Sequence, residues 1–273
     1  MGKKLTTLFL PLLLGLSLSV QAQCLKPTEG AGKAIFKWYV FDGDTLDVGA
    51  DKRLRLAFIN TPELGRSGAA DQPQAQAAKQ AAVDFMQTSK QVYWQTDSKA
   101  PPEQQRDRYG RYLGMVYNAK GDWLAEQLVS DGLAFVLSIP PHVAPACLWQ
   151  QEADARAAGK GIWATTLADV VPASEISADD GGFVLVVGKV SKVESAKRDW
   201  YVELDGDIAL RINKQRWLKH AGENPNTWLG EQVRVRGWLA WRSLSKSQRK
   251  RGYKHGVMVL THPHMISMLE AQR

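Results

Sequence analysis

The chain has 273 residues, 44% of them hydrophobic and 23% charged, and a formal net charge of +7. That length is ample for a sizeable core and suggests two domains. Past residue 20 no apolar run approaches the ~18 residues needed to cross a bilayer, which excludes a membrane span in the mature chain.

Residues 1–22 read as an export signal: Lys3 and Lys4 precede an apolar run from Leu5 to Val20, and Val20-Gln21-Ala22 suits a signal peptidase. The mature chain is expected to start at Gln23 and to be periplasmic or extracellular. Cys24 and Cys147 are the two cysteines. In an oxidising compartment a single disulfide is their natural use, with two free thiols as the alternative.

From Ala34 to Phe41 and from Thr45 to Val48 the residues are β-branched, aromatic and aliphatic, and Asp42-Gly43-Asp44 between them is a turn signal, so a hairpin is expected. Leu54, Leu56 and Phe58 then alternate with Arg53, Arg55 and Ala57; a strand here buries the first set and turns Arg55 to the opposite face. Pro62 ends it. Pro73 to Met86, dense in Ala and Gln, predicts a helix with its proline in the first turn. Strands follow near Gln91–Gln95 and Tyr112–Tyr117, and helices over Trp123–Ser130 and Leu148–Ala158, stopped by Gly132 and Gly159. Five strands and three helices make a small α+β barrel over the first domain, 23–164.

Between 165 and 182 the periodicity is lost and Ser, Ala, Asp, Pro and Gly collect, as in a linker. The last domain, 183–273, reads as five strands: Phe183–Val193, Trp200–Leu204, Ile208–Ile212, Gln232–Trp241 and Gly256–Leu260. A short helix fits Lys214–His220. That order suits a second, smaller OB-type barrel. The whole is thus mainly β with helices.

Phosphodiester hydrolysis needs a polarised water, a neutralised phosphate and a stabilised leaving oxygen. Asp44 offers a carboxylate in a turn, suited to a hard cation. Glu63, at a strand end after Thr61-Pro62, is placed to act as general base on water. Arg55 and Arg111 are candidates for bidentate clamps on phosphate. Singly, each of these has a bland reading as a turn or surface residue.

Together they do not. Phe41-Asp42-Gly43-Asp44-Thr45, Arg55-Leu56-Ala57-Phe58-Ile59-Asn60-Thr61-Pro62-Glu63, Asp107-Arg108-Tyr109-Gly110-Arg111, Leu128-Val129-Ser130-Asp131-Gly132-Leu133-Ala134 and Gly161-Ile162-Trp163-Ala164, in that order, resemble the thermonuclease (staphylococcal or micrococcal nuclease-like) family over about Ala34 to Ala164. The resemblance implies an OB-fold nuclease that uses Ca²⁺ to cut DNA and RNA, leaving 3′-phosphate ends. It implies Asp44 as a metal ligand, the Thr61 carbonyl as another, Glu63 as the base, and Arg55 and Arg111 as the phosphate clamps. Where the family has a second metal-binding aspartate this chain has Asn60, which keeps an oxygen ligand and removes a charge, so weaker Ca²⁺ binding is expected. Ser138 and Pro140 fall where tyrosines line the family's nucleotide pocket.

The charge is unevenly placed: from position 188 onward there are 17 Lys+Arg against 8 Asp+Glu, a net +9, whereas the part up to 187 has 18 against 20, a net −2. A polyanion is the partner class this suits. Tryptophans mingle with the charge; Trp200 and Trp238 are expected in the core. Lys246, Arg249, Lys250, Arg251 and Lys254 lie in an expected loop and are the candidate nucleic-acid contacts. His262 and His264, with no Cys or carboxylate beside them, do not make a metal site. The function expected is an exported, Ca²⁺-dependent endonuclease, monomeric, acting on single-stranded DNA or RNA. The alternatives are a nucleic-acid-binding protein whose catalysis has weakened, and an envelope adaptor for other polyanions.

Overall fold

The computed structural model describes Cys24 and residues 32–96, 101–139, 142–220 and 222–269. The export signal at 1–22 and Pro140 lie outside the described residues. No helix among the described residues is long and apolar enough to cross a membrane.

The chain forms two β-barrel units, the first an open half-barrel and the second closed. The first is built from β1 (Lys33–Ile35), β2 (Tyr39–Asp42), β3 (Thr45–Asp47), β4 (Arg53–Leu56), β5 (Ile59–Asn60), α1 (Ala75–Thr88), β6 (Val92–Thr96), β7 (Tyr112–Asn118), α2 (Leu124–Ser130), β8 (Phe135–Val136) and α3 (Ala146–Ala157). Six of these strands pair in the order β1-β6-β7-β4-β3-β2, with β4 and β7 parallel. The expected hairpin is β2–β3, with Asp42 opposite Thr45. The stretch expected as one strand from Ala34 divides: β1 crosses to pair with β6, and only β2 faces β3.

Leu54 and Leu56 are buried, as the alternation predicts, but the strand stops at Leu56. Phe58 takes a positive φ of 73°, a strained turn for a bulky residue. That turn redirects the chain so that β5 pairs with β8, Asn60 opposite Phe135. Gly43 in the hairpin turn is needed for close approach: a Cβ there would stand 2.7 Å from the Ala78 Cβ of α1 and 2.8 Å from Thr61 Cγ2. The turn, the helix and the segment after β5 are thus held against one another.

The second unit comprises β9 (Val170–Pro172), β10 (Gly182–Ser195), β11 (Asp199–Leu204), β12 (Ile208–Asn213), α4 (Lys214–Lys219), β13 (Gln232–Trp241), α5 (Lys246–Lys250), β14 (Gly256–Leu260) and β15 (Ile266–Met268). Its strands run β15-β13-β14-β12-β11-β10-β9, and a further β13–β10 pairing closes five of them into a barrel, with β12 and β14 parallel. The five expected strands and the helix between the third and fourth are all present. Trp200, Trp217 and Trp228 are buried in its core.

Three expectations for this unit are corrected. The stretch 165–182 is structured: β9 adds in parallel to β10, and Ala173 and Ile176 join the barrel core. The basic run is a short helix, because Ser245 Oγ accepts from Gln248 N (3.3 Å) while Gln248 Oε1 accepts from Ser245 N (2.9 Å), a reciprocal cap. Trp238 is 40% exposed rather than core.

The units pack together. Phe135, Ile162 and Leu185 form a shared apolar cluster with Phe183 against it. Arg236 Nη1 on β13 donates to both carboxylate oxygens of Glu152 on α3 at 2.7 Å, and Thr261 Oγ1 donates to Ser138 O at 3.0 Å.

Candidate active site

The β2–β3 turn, the end of β4, β5 and the loop before β7 converge on a cleft of about 1780 Å³. Beneath its floor lies Asp44, 3% exposed. Its Oδ2 accepts from Thr61 N at 2.8 Å and pairs with Arg55 Nη2 at 2.9 Å, and its Oδ1 accepts from Thr45 Oγ1 at 3.1 Å. A buried carboxylate needs such partners to remain charged. Asp44 therefore joins the hairpin, β4 and the chain after β5 at one point.

Arg55 does turn away from Leu54 and Leu56, but it is not free. Its Nη1 donates to Leu56 O (2.7 Å) and Ile59 O (2.8 Å), and its Nη2 also donates to Asn60 Oδ1 (3.0 Å). Its Nη groups thus make three hydrogen bonds besides the Asp44 ion pair, so the bidentate phosphate clamp expected of Arg55 is not available as it stands.

Arg111 is better placed for that role. Asp107 holds it by one edge, Arg111 Nε to Asp107 Oδ2 at 2.7 Å, and its Nη1 reaches Thr45 Oγ1 at 3.3 Å. Asp107 Oδ1 also accepts from Tyr109 N and Arg111 N, which shapes the turn. Arg111 and the exposed Tyr109 both line the cleft.

Glu63 opens into the same cleft. Its backbone is clasped by Gln72: Glu63 N donates to Gln72 Oε1 (2.8 Å) and Gln72 N to Glu63 O (3.0 Å). The surrounding walls, followed by the charge on Asp44, raise the Glu63 pKa, against the lowering influence of Arg55, Arg66 and Arg111. All the charges expected at the site thus act on this one carboxyl group.

Sequence reasoning passed over Asp42 and Arg66. Asp42 lines the cleft although only 6% exposed, and its Oδ1 accepts from Asp44 N at 3.2 Å. Arg66 Nη2 stands 4.0 Å from Asp42 Oδ2. Burial first, then Asp44 and Glu63, push the Asp42 carboxyl up to about 6. The available signal was the turn itself, since carboxylates at both ends of an Asp-Gly-Asp turn are brought within reach of each other.

The folded protein holds the Asp42 proton more tightly than the unfolded chain does. Stability from this group is therefore fullest below about pH 4 and falls as pH rises through about 6. Asp42→Asn is expected to remove that fall and to raise the unfolding free energy at pH 7 by up to roughly 3 kcal/mol. Urea midpoints at pH 4 and pH 7 in chelator measure this, and an equal gain at both pH values would count against it.

Among the described residues no three His, Cys, Asp or Glu side chains gather as a metal site. Asp42 and Asn60 line the cleft instead, and Asp44 lies beneath them with its oxygens held by Thr61 N, Arg55 and Thr45. These are hard oxygen donors, and Asp42, whose pKa is raised by burial and then by the charges of Asp44 and Glu63, is better stabilised as a carboxylate beside a cation. Both features suit a hard divalent cation such as Ca²⁺.

The remaining expected residues lie apart. Lys246, Arg249, Lys250 and Arg251 are exposed on α5 and just past it, and Lys254 Nζ donates to Gly206 O at 2.7 Å; none lines the cleft. Cys24 and Cys147 are joined in a disulfide. Ser138 is buried, its Oγ accepting from Ala144 N.

A family model described as Staphylococcal nuclease homologue matches residues 53–165. A curated protein named Thermonuclease, from Staphylococcus intermedius, is 29% identical over 123 residues. That alignment covers 42% of this chain and 66% of the relative. The hairpin that carries Asp42 and Asp44 precedes the family-matched segment and joins it through the Asp44 contacts to Arg55 and Thr61.

Proposed function

From the similarity of residues 53–165 to the staphylococcal nuclease homologue family, we propose that the protein is an exported, metal-dependent endonuclease. It hydrolyses phosphodiester bonds of single-stranded DNA or RNA and leaves 3′-phosphate ends. The observation that carries this reading is the convergence of Asp42, Asn60, Glu63 and Arg111 on one cleft over the buried Asp44–Arg55 pair.

Arg111 meets the scissile phosphate with the Nη donors that Asp107 and Thr45 leave open, and offsets its charge. Glu63 takes a proton from a water that attacks phosphorus, and its raised pKa makes it a stronger base than an ordinary glutamate. The bond from phosphorus to the 5′ oxygen breaks and that oxygen takes a proton from solvent, giving a 3′-phosphate and a 5′-hydroxyl. Asp44 positions Arg55 and the Thr61 backbone. Ca²⁺ would be held by Asp42, Asp44 and Asn60, with the Thr61 carbonyl, and when bound it supplies charge to the phosphate oxygens. The exposed cations of α5 add a contact for the strand outside the cleft. The Cys24–Cys147 disulfide supports an oxidising compartment.

Asn60 favours a second reading, a nucleic-acid-binding protein with weakened catalysis, because it lowers the ligand charge and its oxygen is already taken by Arg55. Cleavage of an end-labelled single strand by the full chain, in Ca²⁺ and in chelator, decides between them. Ca²⁺-dependent products whose ends are sensitive to phosphatase are expected; salt-sensitive binding without turnover selects the second reading. Asn60→Asp restores a carboxylate and is expected to tighten Ca²⁺ on the order of 10-fold by calorimetry. An unchanged affinity would remove Asn60 from the ligand set.

A further inference from the structure

The cleft that holds Glu63 and Arg111 is lined by one described residue of the second barrel, Trp238. It lies on β13, where Val233, Val235 and Leu239 turn inward and are buried, while Arg234, Arg236 and Trp238 share the outward face. Its neighbour across the sheet is Phe183, with ring centroids 5.3 Å apart at 74°. Phe183 in turn meets Phe135 of the first barrel at 5.0 Å. A line of rings therefore braces the indole from the barrel that carries the catalytic groups, and 40% of the residue is left open.

The first barrel does not supply an aromatic ring at Ser138: that residue is 0% exposed, and both of its oxygens are occupied, by Ala144 N and Thr261 Oγ1. What lines the cleft near there is apolar, Phe58, Leu137 and Ile139, beside His142 and Trp238. A nuclease cleft with a charged part for phosphate and an apolar part ending in a braced, half-open indole has the chemistry of a nucleobase site.

We propose that Trp238 is the stacking platform for a base of the substrate strand, so that the second barrel completes the binding site of the first. This rests on the nuclease reading. It also predicts a single-strand preference, since a paired base has no free face to offer. Trp238 is a binding residue here, not a catalytic one.

The test uses the full chain and two DNA oligonucleotides of equal length, one ordinary and one with consecutive abasic sites. Binding is measured by anisotropy in the Glu63→Gln background, and cleavage in the parent. Trp238→Ala is expected to weaken binding of the ordinary strand on the order of 10-fold and to raise its KM similarly, with kcat little changed. Binding of the abasic strand should not move. Trp238→Phe, which keeps a ring against Phe183, should restore most of the loss, and this rescue separates stacking from damage to the fold. An equal loss for both strands, or no loss for either, overturns the proposal. Normal cleavage by Trp238→Ala at unchanged KM sinks this inference alone, whereas a parent that neither binds nor cuts either strand sinks the nuclease reading with it.

Discussion

Replacing Glu63 by glutamine is expected to slow phosphodiester cleavage by roughly 10²- to 10⁴-fold, the range that a positioned general base supplies. Glutamine keeps the shape and the backbone clasp to Gln72, so folding and strand binding should hold while the proton acceptor is lost. The pH profile carries a second sign. Glu63 must be ionised to act, and its raised pKa places the acid limb of the rate above the ordinary glutamate value of 4.5. The parent should therefore gain activity with rising pH through that limb, and the residual activity of Glu63→Gln should lack it. Single-turnover rates against pH, at saturating Ca²⁺, measure both effects. A variant as fast as the parent would remove Glu63 from the chemistry and turn attention to Asp42, another carboxylate lining the cleft.

Arg111 gives a weaker and different expectation, because Asp107 and Thr45 hold it without using all its donors. Arg55 differs again. Its loss would leave Asp44 without its ion-pair partner and Asn60 Oδ1 and two backbone carbonyls without the Arg55 donors, all in a place nearly closed to water. Reduced activity in an Arg55 variant would thus mix catalysis with disruption of the floor, which makes Glu63 the cleaner probe.

Which parts of this were legible in the sequence follows from the range of the interactions. The Leu54 and Leu56 alternation located β4 and the face of Arg55, because strand parity is local. In β13 the size and apolarity of tryptophan point to the core, and Trp238 is instead on the face of Arg234 and Arg236, away from Val233 and Val235, as strand parity requires. Asn60 reached the site through the β5–β8 pairing and the positive φ of Phe58, neither of which has a sequence signature at that distance. The Asp42 role needed the burial of the turn against α1, which depends on the lack of a side chain at Gly43. The basic run has no apolar period to mark a five-residue polar helix; its Ser245 and Gln248 cap is the local mark.

The same argument about range applies to α3, whose sequence marks it as a helix stopped by Gly159 and says nothing of what it fastens. Cys147 at its start is tied to Cys24, 123 positions away. Glu152, 4% exposed, accepts from Val136 N beside β5 and from Arg236, 84 positions on, in the second barrel. The helix thus couples the amino terminus, the strand that positions Asn60 and the outward face of β13 that carries Trp238. Closing a loop of that length removes unfolded-state entropy equivalent to about 5 kcal/mol, a large part of the total stability of a typical protein. The Cys24→Ser, Cys147→Ser double variant is therefore expected to lose about 4–5 kcal/mol in urea unfolding, and reductant should reproduce that loss in the parent while leaving the variant unchanged. Because Glu152 and Arg236 hold α3 independently of the disulfide, cleavage below the lowered transition should survive. Equal urea midpoints for parent and variant would show that the first barrel draws no stability from the bond.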